Sequence, residues 1–341
     1  MALRTFTLLA FLCMLTHWEL QAQDQQTYFR NGLRELEQSK YQLAIVQFDK
    51  CLTLDPKNAA AYFHRGTCYL MLGKASIALV DFNKTLSIDT AMYETYYNRA
   101  LAHQALRNYT FAEGDFLLYI ERKRSDIKAL KNLAILMEQM GELQSAINYY
   151  TRYLERDKTN TEVLKNRALA YAGLDSTKLA IADLEACQRL NPADTTVWLL
   201  KGNIYYDAHE YGHAIDIYNL ILLNEPGNKA ALLDRADAYS ADLQYEAALD
   251  DYQKLGKKDL NNPELHFNIA FCQLQLNRYQ EAVNSFTIAM NDGYSDLGQL
   301  LTLRGVAYNN LKLQMEACSD WQKAIDLQYA EAAKYKTNYC K

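Results

Sequence analysis

The chain has 341 residues, of which 50% are hydrophobic and 23% charged, and its formal net charge is −5. That balance excludes a disordered polyelectrolyte and argues against a dedicated nucleic-acid binder, whose phosphate contacts call for a basic excess. Length alone would allow two globular domains, but an internal period overrides that reading.

Residues 1–22 open with one positive charge at Arg4, continue through an apolar run from Thr5 to Leu15, and close on Leu20-Gln21-Ala22 before Gln23. This order predicts a secretory signal peptide over 1–22, with a retained anchor as the rival reading. The run is short for a bilayer, and no other segment reaches spanning length without charges, so no integral membrane span is expected after cleavage. Cys13 follows Ala10-Phe11-Leu12, which lacks the small residue that a lipidated cysteine needs immediately upstream.

From there the chain keeps a ruler of 34 residues: Ala44, Ala78, Ala112, Ala146, Ala180, Ala214, Ala248 and Ala282, then Ala317 after one extra step. Twelve residues before each stands a glycine or alanine, from Gly32 and Gly66 to Gly202 and Gly305. Four residues after each stands a bulky group, such as Phe48, Phe82, Tyr218 or Trp321. Two small positions and one large one predict two helices pressed together, because only a missing side chain lets backbones approach while a large neighbour fills the gap. Apolar residues four before and three after the small position complete one helical face. Units then begin near Gln25, Ala59, Tyr93, Ile127, Thr161, Thr195, Lys229, Pro263 and Gly298, and all four prolines fall at junctions between them.

One segment imitates an active site. His209-Glu210-Tyr211-Gly212-His213 matches the H-E-x-x-H pattern, in which two histidines on one helical face hold zinc and the glutamate activates water. Counted from Thr195, His209 and Glu210 are positions 15 and 16, where the turn between two helices is expected. A zinc-dependent hydrolase at His209 and His213 is therefore a remote alternative. No phosphate loop, C-x-x-C pair or nucleophile elbow appears, so neither catalytic residues nor a cofactor is expected.

Six cysteines follow the leader. Cys51, Cys68, Cys187 and Cys272 fall at packing positions of the repeat and are expected to be small buried hydrophobes. Cys318 and Cys340 differ: each lies eleven residues from a turn near Tyr329, which places them at equal height in an antiparallel helix pair. A disulfide or two free thiols remain open there.

The period, the order of small and large residues and the junction prolines together resemble the tetratricopeptide repeat, over residues 25–331. The resemblance implies an all-α, right-handed α-solenoid of nine helix-turn-helix repeats (23–331) with a C-terminal capping helix (332–341). It also implies a protein or extended-peptide partner held in the groove lined by the first helices. Positions left free of packing supply candidates: Phe63 and Tyr97 as apolar contacts, Asn98, Asn132 and Asn166 at position 6 as a ladder of amides, and Lys128, Lys131 and Lys165 beside them. Asp207, Asp234 and Asp237 form an acidic zone further on. The carboxylate clamp of chaperone-tail binders is not reproduced, since its remaining places hold Ile135, Thr196 and Leu200. The expected role is an exported, non-catalytic scaffold or adaptor, periplasmic, envelope-associated or secreted in a bacterium, with a structural subunit of an envelope complex as the alternative.

Overall fold

The computed structural model describes residues 23–256 and 261–340; the expected signal peptide and Cys13 lie outside them. The described residues are helical throughout, with no strand among them. In chain order the helices pair as α1 (23–37) with α2 (Tyr41–Leu54), α3 (Ala59–Met71) with α4 (Ala75–Ile88), α5 (Tyr93–Ala105) with α6 (Tyr109–Arg122), and α7 (Lys128–Gln139) with α8 (Leu143–Leu154). Next come α9 (Thr161–Ala172) and α10 (Thr177–Leu190), α11 (Thr195–Asp207) and α12 (Tyr211–Asn224), and α13 (Lys229–Ala241) and α14 (Tyr245–Gly256). The chain continues with α15 (Pro263–Gln275) and α16 (Tyr279–Asn291), α17 (Leu297–Asn310) and α18 (Gln314–Asp326), and ends in α19 (Glu331–Tyr339). Two compact units divide the chain, one ending at Val163 and the other beginning at Leu164.

Each hairpin is built on the small-against-large contact. A methyl group added at Gly32 would come within 2.6 Å of the Phe48 ring, and one at Gly66 within 2.8 Å of Phe82. Gly305 faces Trp321 in the same way, at 2.5 Å. The alanines of the ruler are fully buried, as are Phe48, Phe82, Phe116, Tyr150 and Trp321. Burying one such ring stabilises by roughly 2–3 kcal/mol, so each pair fixes the approach of its two helices.

The turn inside each hairpin has a common backbone. Position 15 is left-handed in all nine repeats, at Ser39, Gly73, Arg107, Gly141, Asp175, His209, Leu243, Asn277 and Lys312, with φ between 53° and 79°. A left-handed residue ends the first helix and redirects the chain at once into the second. At four of the other junctions asparagine does the capping: the Oδ1 atoms of Asn58, Asn160, Asn228 and Asn262 each accept the backbone N–H three residues on, at 2.9–3.1 Å.

A second recurring bond ties the hairpins together. Arg65, Arg99, Arg167, Arg235 and Arg304 each reach a carboxylate 16 residues on, Asp81, Asp115, Asp183, Asp251 and Asp320, through two parallel N–H···O bonds of 2.6–2.9 Å. The guanidiniums of Arg65, Arg99, Arg235 and Arg304 also reach back 16 or 17 residues into the preceding hairpin, to Asp49, Asn83, Asn219 and Thr287. Planar, bidentate geometry makes this the strong form of ion pair, and the third bond turns it into a link between repeats.

At the end of the chain, α19 starts at Glu331, one residue before the expected boundary, and packs back on α18. Cys318 and Cys340 are joined in a disulfide with Cα atoms 5.8 Å apart. Cys51, Cys68, Cys187 and Cys272 are buried.

Candidate functional site

In the first unit, the first helices α3, α5 and α7 carry the expected groove residues. Asn98 donates through Nδ2 to Thr67 Oγ1 at 3.3 Å, and Asn132 donates to the Tyr97 hydroxyl at 2.7 Å. Each amide is thus held by the preceding repeat. The arrangement differs from a ladder of free donors and acceptors: one N–H of each amide is spent between repeats, and the Oδ1 atoms are the acceptors that remain. Tyr97 packs its ring on Phe116 and Tyr119, with centroids 5.7 and 5.2 Å away, and burial pushes its hydroxyl pKa up. Phe63 contacts the Phe82 ring at 6.3 Å, so both aromatic candidates are half-buried packing residues that show one edge to solvent.

The lysines separate by role. Lys131 Nζ lies 3.0 Å from Glu162 Oε2, which occupies part of its charge. Lys128 is exposed at the start of α7, where Asp126 accepts its backbone N–H at 3.0 Å. Lys165 and Asn166 are half-buried on α9 in the second unit.

The acidic zone lies within the second unit. Tyr252 donates to Asp237 Oδ1 at 2.5 Å. With the Asn203 amide turned to suit its neighbours, its nitrogen reaches Asp234 Oδ2 at 3.3 Å. Burial, with the Asp237 charge adding, pushes the Asp234 carboxyl up to about 6. Asp237 also borders a cavity of about 370 Å³ between α13 and α15, lined further by Leu233, Leu265 and Asn268. Asp207 is exposed.

That raised pKa carries a sign. The folded state holds the Asp234 proton after the unfolded chain has released it, so stability falls as pH rises between about 4 and 6. Asp234→Asn is expected to stabilise the second unit at pH 7 by about 1 kcal/mol, the full shift being discounted for partial exposure, and to have no such effect below pH 4. Urea titrations of both proteins at the two pH values measure it.

The H-E-x-x-H segment is not arranged for zinc. His209 is the left-handed turn residue with φ of 60°, and α12 begins only at Tyr211, so the two histidines do not share a helical face. His209 Nδ1 is bonded to the Tyr211 hydroxyl at 2.9 Å, and His213 Nδ1 to Glu210 Oε2 at 2.9 Å, which places the would-be base on a would-be ligand. No group of three or more ligating side chains suited to a metal occurs among the described residues.

Sequence reasoning missed the arginine–aspartate links, which lie between the packing positions and the groove positions. Their signal was present: an arginine at position 7 is always followed by an aspartate 16 residues on.

Hairpins of this length, each turned at a left-handed residue and closed by a small-against-large contact between its two helices, define a helical-hairpin repeat protein. Residues 48–79, 162–194 and 233–289 each match a family profile described as tetratricopeptide repeat, and the chain belongs to that family, whose repeats serve as protein-interaction scaffolds. Among solved structures it is similar to the C-terminal part of a tetratricopeptide-repeat protein from Cytophaga hutchinsonii, at 18% identity and a TM-score of 0.63, covering 71% of this chain and 99% of that one. A tetratricopeptide-repeat protein from Parabacteroides merdae is similar at 18% identity and a TM-score of 0.52, covering 73% and 98%. Among curated proteins, RNA polymerase-associated protein CTR9 of Saccharomyces cerevisiae is 24% identical over 120 residues. That match covers 35% of this chain and 11% of the yeast protein's length. These likenesses are to the fold. No described helix is long and apolar enough to cross a membrane.

Proposed function

We propose that the chain is an exported, non-catalytic scaffold that holds an extended peptide or protein segment along its first helices. The observation that carries this reading is the pair Asn98 and Asn132. Thr67 and Tyr97 hold both amides in place, leaving their Oδ1 atoms with no hydrogen bond among the described residues. Two fixed acceptors on successive repeats suit the backbone N–H groups of an extended chain, and exposed Lys128 beside them favours an acidic side chain or a terminal carboxylate. Lys131, on the same helix as Lys128, extends the same chemistry. Export to a bacterial envelope, as a periplasmic, surface or secreted protein, is supported by the composition of 1–22 and by the Cys318–Cys340 pair, since cytosolic thiols are kept reduced.

A photoreactive amino acid placed at Lys128 is expected to trap a partner in living cells, while the same probe at Asp250, on the outer face of α14, does not. Asn98→Ala combined with Asn132→Ala is expected to lower the Lys128 yield about thirtyfold, because two hydrogen bonds of about 1 kcal/mol each are lost. Equal yields in the variant, with helicity preserved, would count against the groove.

A further inference from the structure

The second helices of the first three repeats expose an apolar band that the groove does not use. Positions 19 and 22 hold Leu43 and Val46 on α2 and Ile77 and Val80 on α4, and position 19 on α6 holds Phe111; Val80 and Phe111 are 66% and 69% exposed. The corresponding places in the second unit include Asp216, Asp250, Glu281 and Glu316, all exposed, with Leu179 on α10, 52% exposed, as the large apolar exception. An outward-facing position of this repeat is thus ordinarily polar, and the first unit departs from that rule in three consecutive helices.

These helices lie side by side. Arg65 holds Asp49 of α2 at 2.6 Å and Asp81 of α4 at 2.7 Å; Arg99 holds Asn83 of α4 at 2.8 Å and Asp115 of α6 at 2.7 Å. The exposed side chains therefore form one surface. Lysines frame it in the same register twice: Lys40 and Lys50 flank Leu43 and Val46, and Lys74 and Lys84 flank Ile77 and Val80. Lys50, Lys74 and Lys84 form no ion pair among the described residues, Lys50 lying over the Tyr28 ring at 5.4 Å, and Lys40 has Glu35 at 4.0 Å and donates to Gln38 Oε1 at 2.8 Å. Asp49, the acid on this side of α2, is neutralised by Arg65.

We propose that the outer face of α2, α4 and α6 docks on an anionic lipid surface. The band inserts among the acyl chains nearest the headgroups, and the lysines at its two borders extend their stems along it to reach lipid phosphates. The charge pattern selects this occupant over a second copy of the chain, because self-pairing would bring two sets of four lysines together. It also selects the first unit: residues 23–163 hold 18 Lys and Arg against 17 Asp and Glu, whereas residues 164–341 hold 17 against 23.

The test uses the full chain with a polarity-sensitive fluorophore on Val80→Cys or, separately, on Asp250→Cys, so that the readout is local and independent of residues 1–22. With vesicles of equal parts phosphatidylglycerol and phosphatidylcholine, the Val80 probe is expected to shift to the blue and the Asp250 probe to stay unchanged. Lys74→Gln with Lys84→Gln is expected to weaken the Val80 response about thirtyfold. Ile77→Ser in the same chain should weaken it further, and phosphatidylcholine alone should give none. No shift at Val80, equal shifts at both sites, or a response indifferent to the two lysines overturns the proposal. So does a shift that appears without vesicles as the protein concentration rises, which would assign the band to self-association or, with an added acidic protein, to that protein.

Discussion

Arg304→Met is expected to destabilise the second unit by about 3–5 kcal/mol, whereas Arg304→Met with Asp320→Leu regains most of that loss. The side chains of Arg304 and Asp320 are 8% and 4% exposed, the most enclosed of the five ion pairs. Their two bonds measure 2.7 and 2.9 Å, and Thr287 takes a third at 3.0 Å. Removing the arginine alone strands a buried carboxylate away from water, and that penalty outweighs the attraction lost. Removing both leaves apolar groups of similar volume. A double-mutant cycle by urea denaturation measures the coupling. Arg65→Met also strands a buried carboxylate, Asp81, but the Arg65 side chain is 20% exposed against 8% for Arg304 and its second partner Asp49 is half exposed, so water replaces part of what is lost and the cost should be smaller. Equal effects at the two sites would mean that burial is not what sets the strength of the link.

The links also show what the chain made legible before its structure. Wherever position 7 is arginine, position 23 is aspartate; where position 7 is Asn31, Leu133, Lys201 or Ile269, position 23 is Gln47, Tyr149, Ile217 or Ser285. Two residues that appear and vanish together 16 apart are a contact written in one sequence. The small-against-large positions were legible because size is a property of residue type. The left-handed turn was legible only through register, since Ser39, Arg107, Leu243 and Lys312 share no chemistry that favours a positive φ. The surrounding hairpin imposes it, at a cost of about 1–2 kcal/mol per non-glycine residue. This is also why H-E-Y-G-H misleads as a motif and not as a position: the pattern is blind to the backbone that separates His209 from His213. The candidate site was legible as a list of solvent-facing amides and lysines. Which face of each amide was already engaged depended on rotamers of Thr67 and Tyr97, and the sequence does not encode those separately. The division at Val163 had no compositional mark at all.

Loss of the Cys318–Cys340 bond, by Cys318→Ser with Cys340→Ser, is expected to release α19 while leaving α17 and α18 folded. The cysteines are 22 residues apart, and closing a loop of that length stabilises by about 3 kcal/mol in the chain-entropy view. α19 has little else of its own. It is a nine-residue helix, too short to persist alone, and Ala332 is its one fully buried residue. What it covers is Trp321, whose indole stacks on Tyr335 at 5.6 Å and donates to the Thr302 carbonyl at 3.1 Å. Amide exchange over 331–340 should therefore accelerate about a hundredfold in the double variant, and Trp321 should gain solvent access, seen as a red shift and stronger iodide quenching. A reductant should reproduce both effects in the unmodified chain. Unchanged exchange would mean that packing of Tyr335 and Tyr339 on Trp321 holds the cap without the bond. The same cysteines report on destination: thiol-blocked protein taken from its native host should carry the bridge if the chain is exported, and two blocked thiols if it stays among reducing partners.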